Sequence, residues 1–373
     1  MSLPQEASSS HMLAGAWGTL LPRPPERALL RACLLESEAA QSSWREFVRS
    51  VDNPRRWIQD NHTGLKALLP FIAHKIQTNN LPASTDFVTW ARMATLREEL
   101  RQEEINSIYL VVSERLRIAE QRTLLMPGMG AAKLAWSSPQ LRHNHALRLL
   151  VEDTAAAEGL LAELGILTIH RGSHSLWLQH PTELSIELHN RLDPSFGQSG
   201  DFEQAFANAH LVSDGSIGTM GLADQLLAII ARAASGDGTP NLRWLVDIHA
   251  LLCSEPNWSE RTEEIAYISG WLSAAQLPIF GYALNEYLQN DFGLNLPGFE
   301  NIPLDVDSMS QQRQLLYTAL AGVNRRRQGI KAFCGPLEKL RYLVWLLSER
   351  FSGQHSYGAT RPTGATEAVL TNG

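Results

Sequence analysis

The side chains best suited to handling phosphate or metal gather between Arg122 and His189. A turn, Pro127-Gly128-Met129-Gly130, follows a short apolar run and leads into a helical one. In that layout the backbone N–H groups at a helix start attract anions, which makes Gly128 and Gly130 candidate ligand contacts and Lys133 a candidate charge partner. The string lacks the Gly-Lys-Ser/Thr ending of a phosphate loop, so the alternative is a plain turn into a helix. Arg148 has the planar fork of donors that grips a phosphate bidentately. Strand alternation over Leu184 to His189 puts Glu187 and His189 on one face, within reach of acid–base chemistry. Six of the twelve histidines, His143, His145, His170, His174, His180 and His189, fall in the same region. With Glu187 they offer zinc or another transition metal a site, or supply a general base; the alternative is that they cap carbonyls or sit in solvent. Without a His-x-x-x-His helix or a Cys-x-x-Cys pair, no metal ligand set can be assigned.

The spacing carries a resemblance. Gly128 lies fourteen residues before Arg142, with Trp136, Pro139 and Leu141 between them and Leu149-Leu150-Val151 closing the run. His174, His180-Pro181, Ile186-Glu187-Leu188-His189 and Leu242-Arg243-Trp244-Leu245-Val246-Asp247 follow in order. Together these resemble the uncharacterised nucleotidyltransferases of the polymerase-β-like superfamily, over about 26–352. The resemblance implies a nucleoside triphosphate as cofactor or ligand, Arg142 among its contacts, and Mg held by three carboxylates if the chain is active. Against that pattern Pro127 stands for a lysine, Ala146 and Arg148 for the first two aspartates, and Glu187 alone keeps a carboxylate. An arginine held roughly 4 Å from a divalent ion would meet a repulsion on the order of 8 kcal/mol at an effective dielectric of about 20. A degenerate Asp-x-Asp motif of this kind leaves two function classes. One is a binding or accessory protein that has lost two-metal catalysis, its ligand a peptide, a partner enzyme or a nucleotide. The other is an enzyme using Glu187, Arg148, His189 and nearby histidines. The resemblance also implies a setting in natural-product or modified-peptide pathways.

The elements that must position these residues are α/β in class: a small mixed sheet between two helical regions. Residues 1–24 read as a disordered leader, 25–121 as an N-terminal helical region, 122–200 as the α/β core, 201–353 as a C-terminal helical region and 354–373 as a disordered tail. Apolar periodicity predicts helices from Pro25, over 38–51 and 63–77, and from a cap at Ser84 or Thr85 to about Gln121. The core should run strand 123–126, helix 129–136, strand 146–151, helix 153–164, then strands 166–170, 175–179 and 184–190. A loop to about Gly221 precedes helices over 222–234, 242–253, 258–274, 279–289, 308–323 and 337–351. Asp247 should pair with Arg243 one turn earlier, and Cys33 should sit in the core.

Composition sets the limits. The 373 residues are 44% hydrophobic with a net charge of −7 spread without long blocks, which makes nucleic acid an unlikely partner. Cys33, Cys253 and Cys334 are odd in number and far apart, as in a reducing compartment. No apolar run reaches the roughly 20 residues of a membrane span, and no basic-then-apolar leader is present, so a cytoplasmic protein is expected; the binding reading adds the expectation of a protein or peptide partner.

Overall fold

A computed structural model describes residues 16–61, 64–193, 201–210, 217–235, 242–299, 316 and 339–346. The chain opens with helices α1 (Pro24–Leu34), α2 (Ser37–Ser50), α3 (Pro54–Asp60) and α4 (Leu69–Thr78), then the 34-residue α5 (Thr85–Ile118). Their starts follow from side chains. The Glu26 carboxylate accepts from Arg23 N at 2.8 Å, Asn53 caps α3 by accepting from Arg56 N at 2.9 Å, and the Ser84 hydroxyl caps α5 by accepting from Phe87 N at 3.3 Å. The segment expected to be helical over 63–77 divides instead. Leu65–Leu68 forms a 3-10 turn entered from Gly64 at φ 76°, and α4 begins with Pro70 in its first turn, where a missing N–H costs nothing.

The α/β part follows in the predicted order: β1 (Thr123–Leu125), α6 (Met129–Ala135), β2 (Ala146–Val151), α7 (Thr154–Ala162), β3 (Leu167–Arg171), β4 (Ser175–Gln179) and β5 (Ser185–His189). Two further elements, α8 (Asp201–Ala207) and β6 (Gly218–Thr219), lie in the stretch expected to be loop. Helices α9 (Leu222–Ser235), α10 (Arg243–Ser254), α11 (Thr262–Ala274) and α12 (Pro278–Phe292) come next, and 339–346 is helical. Apart from Leu316, the helix expected over 308–323 falls outside the described residues, as do the rest of 337–351, the leader to residue 15 and the tail from 354.

The sheet is mixed, in the order β3-β4-β5-β2-β1-β6. β2 runs parallel to β5, and β1 parallel to β6, while the β1–β2, β3–β4 and β4–β5 pairs are antiparallel. This register sets Arg148 opposite Glu187, and Glu187 opposite Trp177. Alternation then divides the two faces. Leu147, Leu149, Ile186, Leu188, Leu176 and Leu178 pack on one side against Ile105, Ile108, Tyr109, Val112 and Leu116 of α5 and Ala157 and Leu161 of α7. Burying each large side chain is worth about 1.5–3 kcal/mol, so α5 is fixed to the sheet by packing. The other face carries Arg148, Glu187 and His189. Around Leu124 and Leu150 it joins a larger core shared by the N-terminal helices and α9 to α12. Cys33 is buried in that core. Among the described residues no helix is long and apolar enough to cross a membrane.

Candidate functional site

Glu187 sits in the middle strand of three, 3% exposed, and one of its carboxylate oxygens collects three basic side chains. Arg148 Nε donates to Glu187 Oε2 at 2.8 Å from the neighbouring parallel strand. His189 Nε2 stands 3.4 Å from the same oxygen, two residues along β5. Arg232 Nη1, from α9, lies 3.7 Å away. Burial pushes the Glu187 carboxyl up, but the Arg148 charge, the His189 hydrogen bond and the Arg232 charge outweigh it and hold it well below the usual carboxylate range. Burial, followed by repulsion from Arg232, lowers the Arg148 guanidinium, against the pull of Glu187. The structure thus brings together the three residues proposed for catalysis, Glu187, His189 and Arg148, and adds Arg232, which the sequence reading did not pick out. Its only sequence signal is an arginine closing the apolar run Leu226 to Ala231, with its carboxylate 45 positions earlier.

Arg142 is the second centre, 7% exposed, and every nitrogen of its guanidinium is engaged. Nε and Nη2 donate to Asp247 Oδ1 and Oδ2 at 2.9 and 2.6 Å, and Nη1 donates to Asn144 Oδ1 at 2.5 Å and to the His143 carbonyl at 3.2 Å. Asp247 Oδ1 also accepts from the Trp136 indole at 3.0 Å. The expected one-turn pairing of Asp247 is therefore corrected: its carboxylate clamps Arg142 bidentately, and Arg243 Nη1 donates to the His143 carbonyl at 2.7 Å. A helix-local rule looks four residues back, whereas a carboxylate this deeply buried takes the fork that best satisfies both oxygens. Burial, then the charge of Arg142, lowers Arg243 to about 9. Arg148 feels the charges of Arg232 and Arg142, and Arg243 those of Arg142, Arg148 and Arg232, so the two centres adjoin.

The glycine turn rests on this second centre. Gly128 takes φ 124° and ψ −103°, a backbone state closed to other residues, and a Cβ there would lie 3.3 Å from Asn144 Oδ1. A Cβ on Gly130 would meet Gln225 Nε2 at 2.4 Å and the Leu125 carbonyl at 2.8 Å. The Gly130 amide donates to the Met126 carbonyl at 3.1 Å. α6 behind it is only two turns long. Lys133 is set apart from the carboxylate: its ammonium lies 4.2 Å from the centre of the Tyr109 ring, on the α5 side of the sheet.

The histidines disperse. His143 Nδ1 contacts Glu98 Oε2 on α5, and its Nε2 lies 3.2 Å from the His145 ring. Burial outweighs the Glu98 carboxylate and lowers the His143 imidazole. Glu98 is held from its other oxygen by Gln102 at 2.7 Å, whose amide also donates to the Arg142 carbonyl at 2.9 Å. His180 bonds locally to Thr182, and His170 is paired in register with Trp177 at the sheet edge. Among the described residues no three His, Cys, Asp or Glu side chains form a group that could hold a metal ion. A pair of divalent cations does not fit the donor set at Glu187, one carboxylate oxygen ringed by two guanidiniums and an imidazole.

No curated protein was found to match the chain. A family model described as uncharacterised nucleotidyltransferase matches residues 65–277, more than half of the sequence and all of the sheet. The chain belongs to that family of uncharacterised nucleotidyltransferases.

Proposed function

We propose that this member of the family does not transfer nucleotidyl groups by the two-metal route and serves instead as a binding protein. The observation that carries this reading is the Arg148–Glu187 pair at 2.8 Å. Two-metal transfer needs clustered carboxylates to hold its ions. Here the remaining carboxylate is spent on a neighbouring guanidinium, and Ala146, one pleat along the same strand face, offers no oxygen. On this sheet face the carboxylate stands among two guanidiniums and an imidazole. Of the ligands open to such a protein, a peptide, a partner enzyme or a nucleotide, these basic groups favour one that brings negative charge.

The test is turnover of the four common ribonucleoside triphosphates with Mg or Mn, with pyrophosphate release as the readout. The expected outcome is no metal-stimulated release. Release that requires metal and disappears in Glu187→Gln would overturn the proposal, because that residue would then be a metal ligand.

A further inference from the structure

Arg148 touches Glu187 through Nε only. Neither of its Nη groups makes a hydrogen bond with the described residues, and the side chain keeps 21% of its surface exposed. An arginine in this state has its plane fixed by a buried carboxylate while the forked end, which matches two oxygens of a carboxylate or phosphate, points away from that anchor. Arg142 makes the contrast, since its Nε and both Nη groups are consumed by the protein. Arg232 lies beside the same Glu187 oxygen and is 36% exposed. Arg148 and Arg232 thus both lie at one Glu187 oxygen, and a buried His189 adds a third basic group, its Nδ1 without a hydrogen bond among the described residues. One strand over, half-buried Trp177 stands in register with Glu187 and shares its sheet face. Neighbouring strands are about 4.8 Å apart, so the backbones of Trp177 and Arg148 are roughly 10 Å apart, with both side chains on one sheet face.

We propose that Arg148 and Arg232 form a metal-independent site for a phosphate dianion, and that Trp177 offers its ring to the base of a nucleotide carrying it. The site deepens the binding reading above and rests on it: the guanidiniums supply the charge that divalent ions supply elsewhere, and Glu187 orients the fork rather than holding a metal. Inorganic phosphate and a nucleoside monophosphate share the anchoring chemistry, and Trp177 separates them. Base–aromatic stacking is worth enough that a nucleotide should bind more tightly than phosphate alone.

Calorimetric titration of the full chain with adenosine monophosphate, inorganic phosphate and adenosine, all in excess EDTA, tests this, with thermal melts confirming that each variant is folded. Both phosphates should bind in EDTA, the nucleotide more tightly. Arg232→Gln should weaken both by at least about tenfold, the loss expected for one charge-assisted contact. Arg148→Lys keeps the charge and removes the fork, and should also weaken both. Trp177→Leu should weaken the nucleotide alone. Glu187→Gln should tighten phosphate, because it removes a negative charge from beside the site, whereas a metal ligand so changed would lose its ligand. Absence of binding in EDTA and in Mg alike overturns this site and leaves the loss of two-metal transfer standing. Binding that needs Mg overturns this site, and pyrophosphate release from a nucleoside triphosphate that needs Mg and is lost in Glu187→Gln overturns both. Equal affinity for phosphate and nucleotide, unmoved by Trp177→Leu, overturns the nucleotide assignment.

Discussion

Replacing Asp247 by alanine removes the only carboxylate that Arg142 touches among the described residues. The side chains are 8% and 3% exposed and joined by two hydrogen bonds, so the pair is a buried fork. Breaking such a pair from one side costs about 3–5 kcal/mol, because a charge is left without a partner away from water. The same carboxylate accepts from Trp136, and an orphaned indole N–H adds about 1–3 kcal/mol. The two losses overlap, since one cavity and one entering water serve both. Arg142 also retains Asn144 and the His143 carbonyl. The expected destabilisation is therefore about 3–4 kcal/mol for Asp247→Ala and about half that for Asp247→Asn, whose amide oxygen still accepts one bond. Urea unfolding followed by circular dichroism reads both through the midpoint at constant slope. The double variant Arg142→Met with Asp247→Leu should recover most of the loss, since a buried ion pair can be exchanged for apolar packing at little cost. A loss below about 1 kcal/mol for Asp247→Ala, or a double variant no better than the single, would refute the view of Arg142 as an internal pin.

Further outcomes follow from the same geometry. Gly130→Ala should cost at least about 1–3 kcal/mol by urea unfolding, because its new methyl meets the Leu125 carbonyl, which is backbone and cannot swing aside. Gly128→Ala should cost a similar amount through its positive φ, and a neutral result would show that the turn can relax. The folded-state carboxyl of Glu187 lies well below its ordinary value, so its contribution to stability is complete above about pH 4.3 and is lost as pH falls toward the depressed folded value. The stability gap between the native chain and Glu187→Gln should therefore be widest above pH 5 and close on acidification; a gap that widens in acid contradicts the assigned direction. Lys133→Ala should leave phosphate affinity unchanged in calorimetry, because the ammonium sits over Tyr109 on the far side of the sheet.

Most of the scaffold was legible because its signals are local. β2 and β4 fall on the predicted residues, and α5 starts at the expected serine cap, since alternation and caps are set within a few positions of the chain. The misses share a cause. α3 is seven residues and β6 two, too short for any period to accumulate, and β6 is a strand because Leu124 and Leu125 lie beside it and His210 bridges to Thr219. Within the site, Glu187 and His189 were readable from alternation. Arg148 stood out as a basic residue where the resemblance expects an acid. That Arg148 faces Glu187 is a fact of parallel register between strands 39 positions apart. The partners of Arg232 and Asp247 are likewise set by helix packing, which no local pattern reports.

The two arginine centres use one physical device in opposite ways. Around Arg142 every guanidinium nitrogen is answered from within, by Asp247, Asn144 and a carbonyl, and the product is a fixed platform under Gly128. A closed pair of that sort adds little net stability over apolar packing, and its use is to allow only one arrangement of the chain around it. Around Arg148 the answer is partial. Glu187 satisfies one N–H and sets the plane, while its single charge is divided among two guanidiniums and an imidazole. The charge of Arg232 lowers the Arg148 guanidinium, second only to burial. In the proposed site an anion seated between them would relieve that repulsion. Metal ions would add to it. On the proposed reading, the sign of this local field, more than the missing aspartates taken one by one, is what would turn the site from cations toward phosphate.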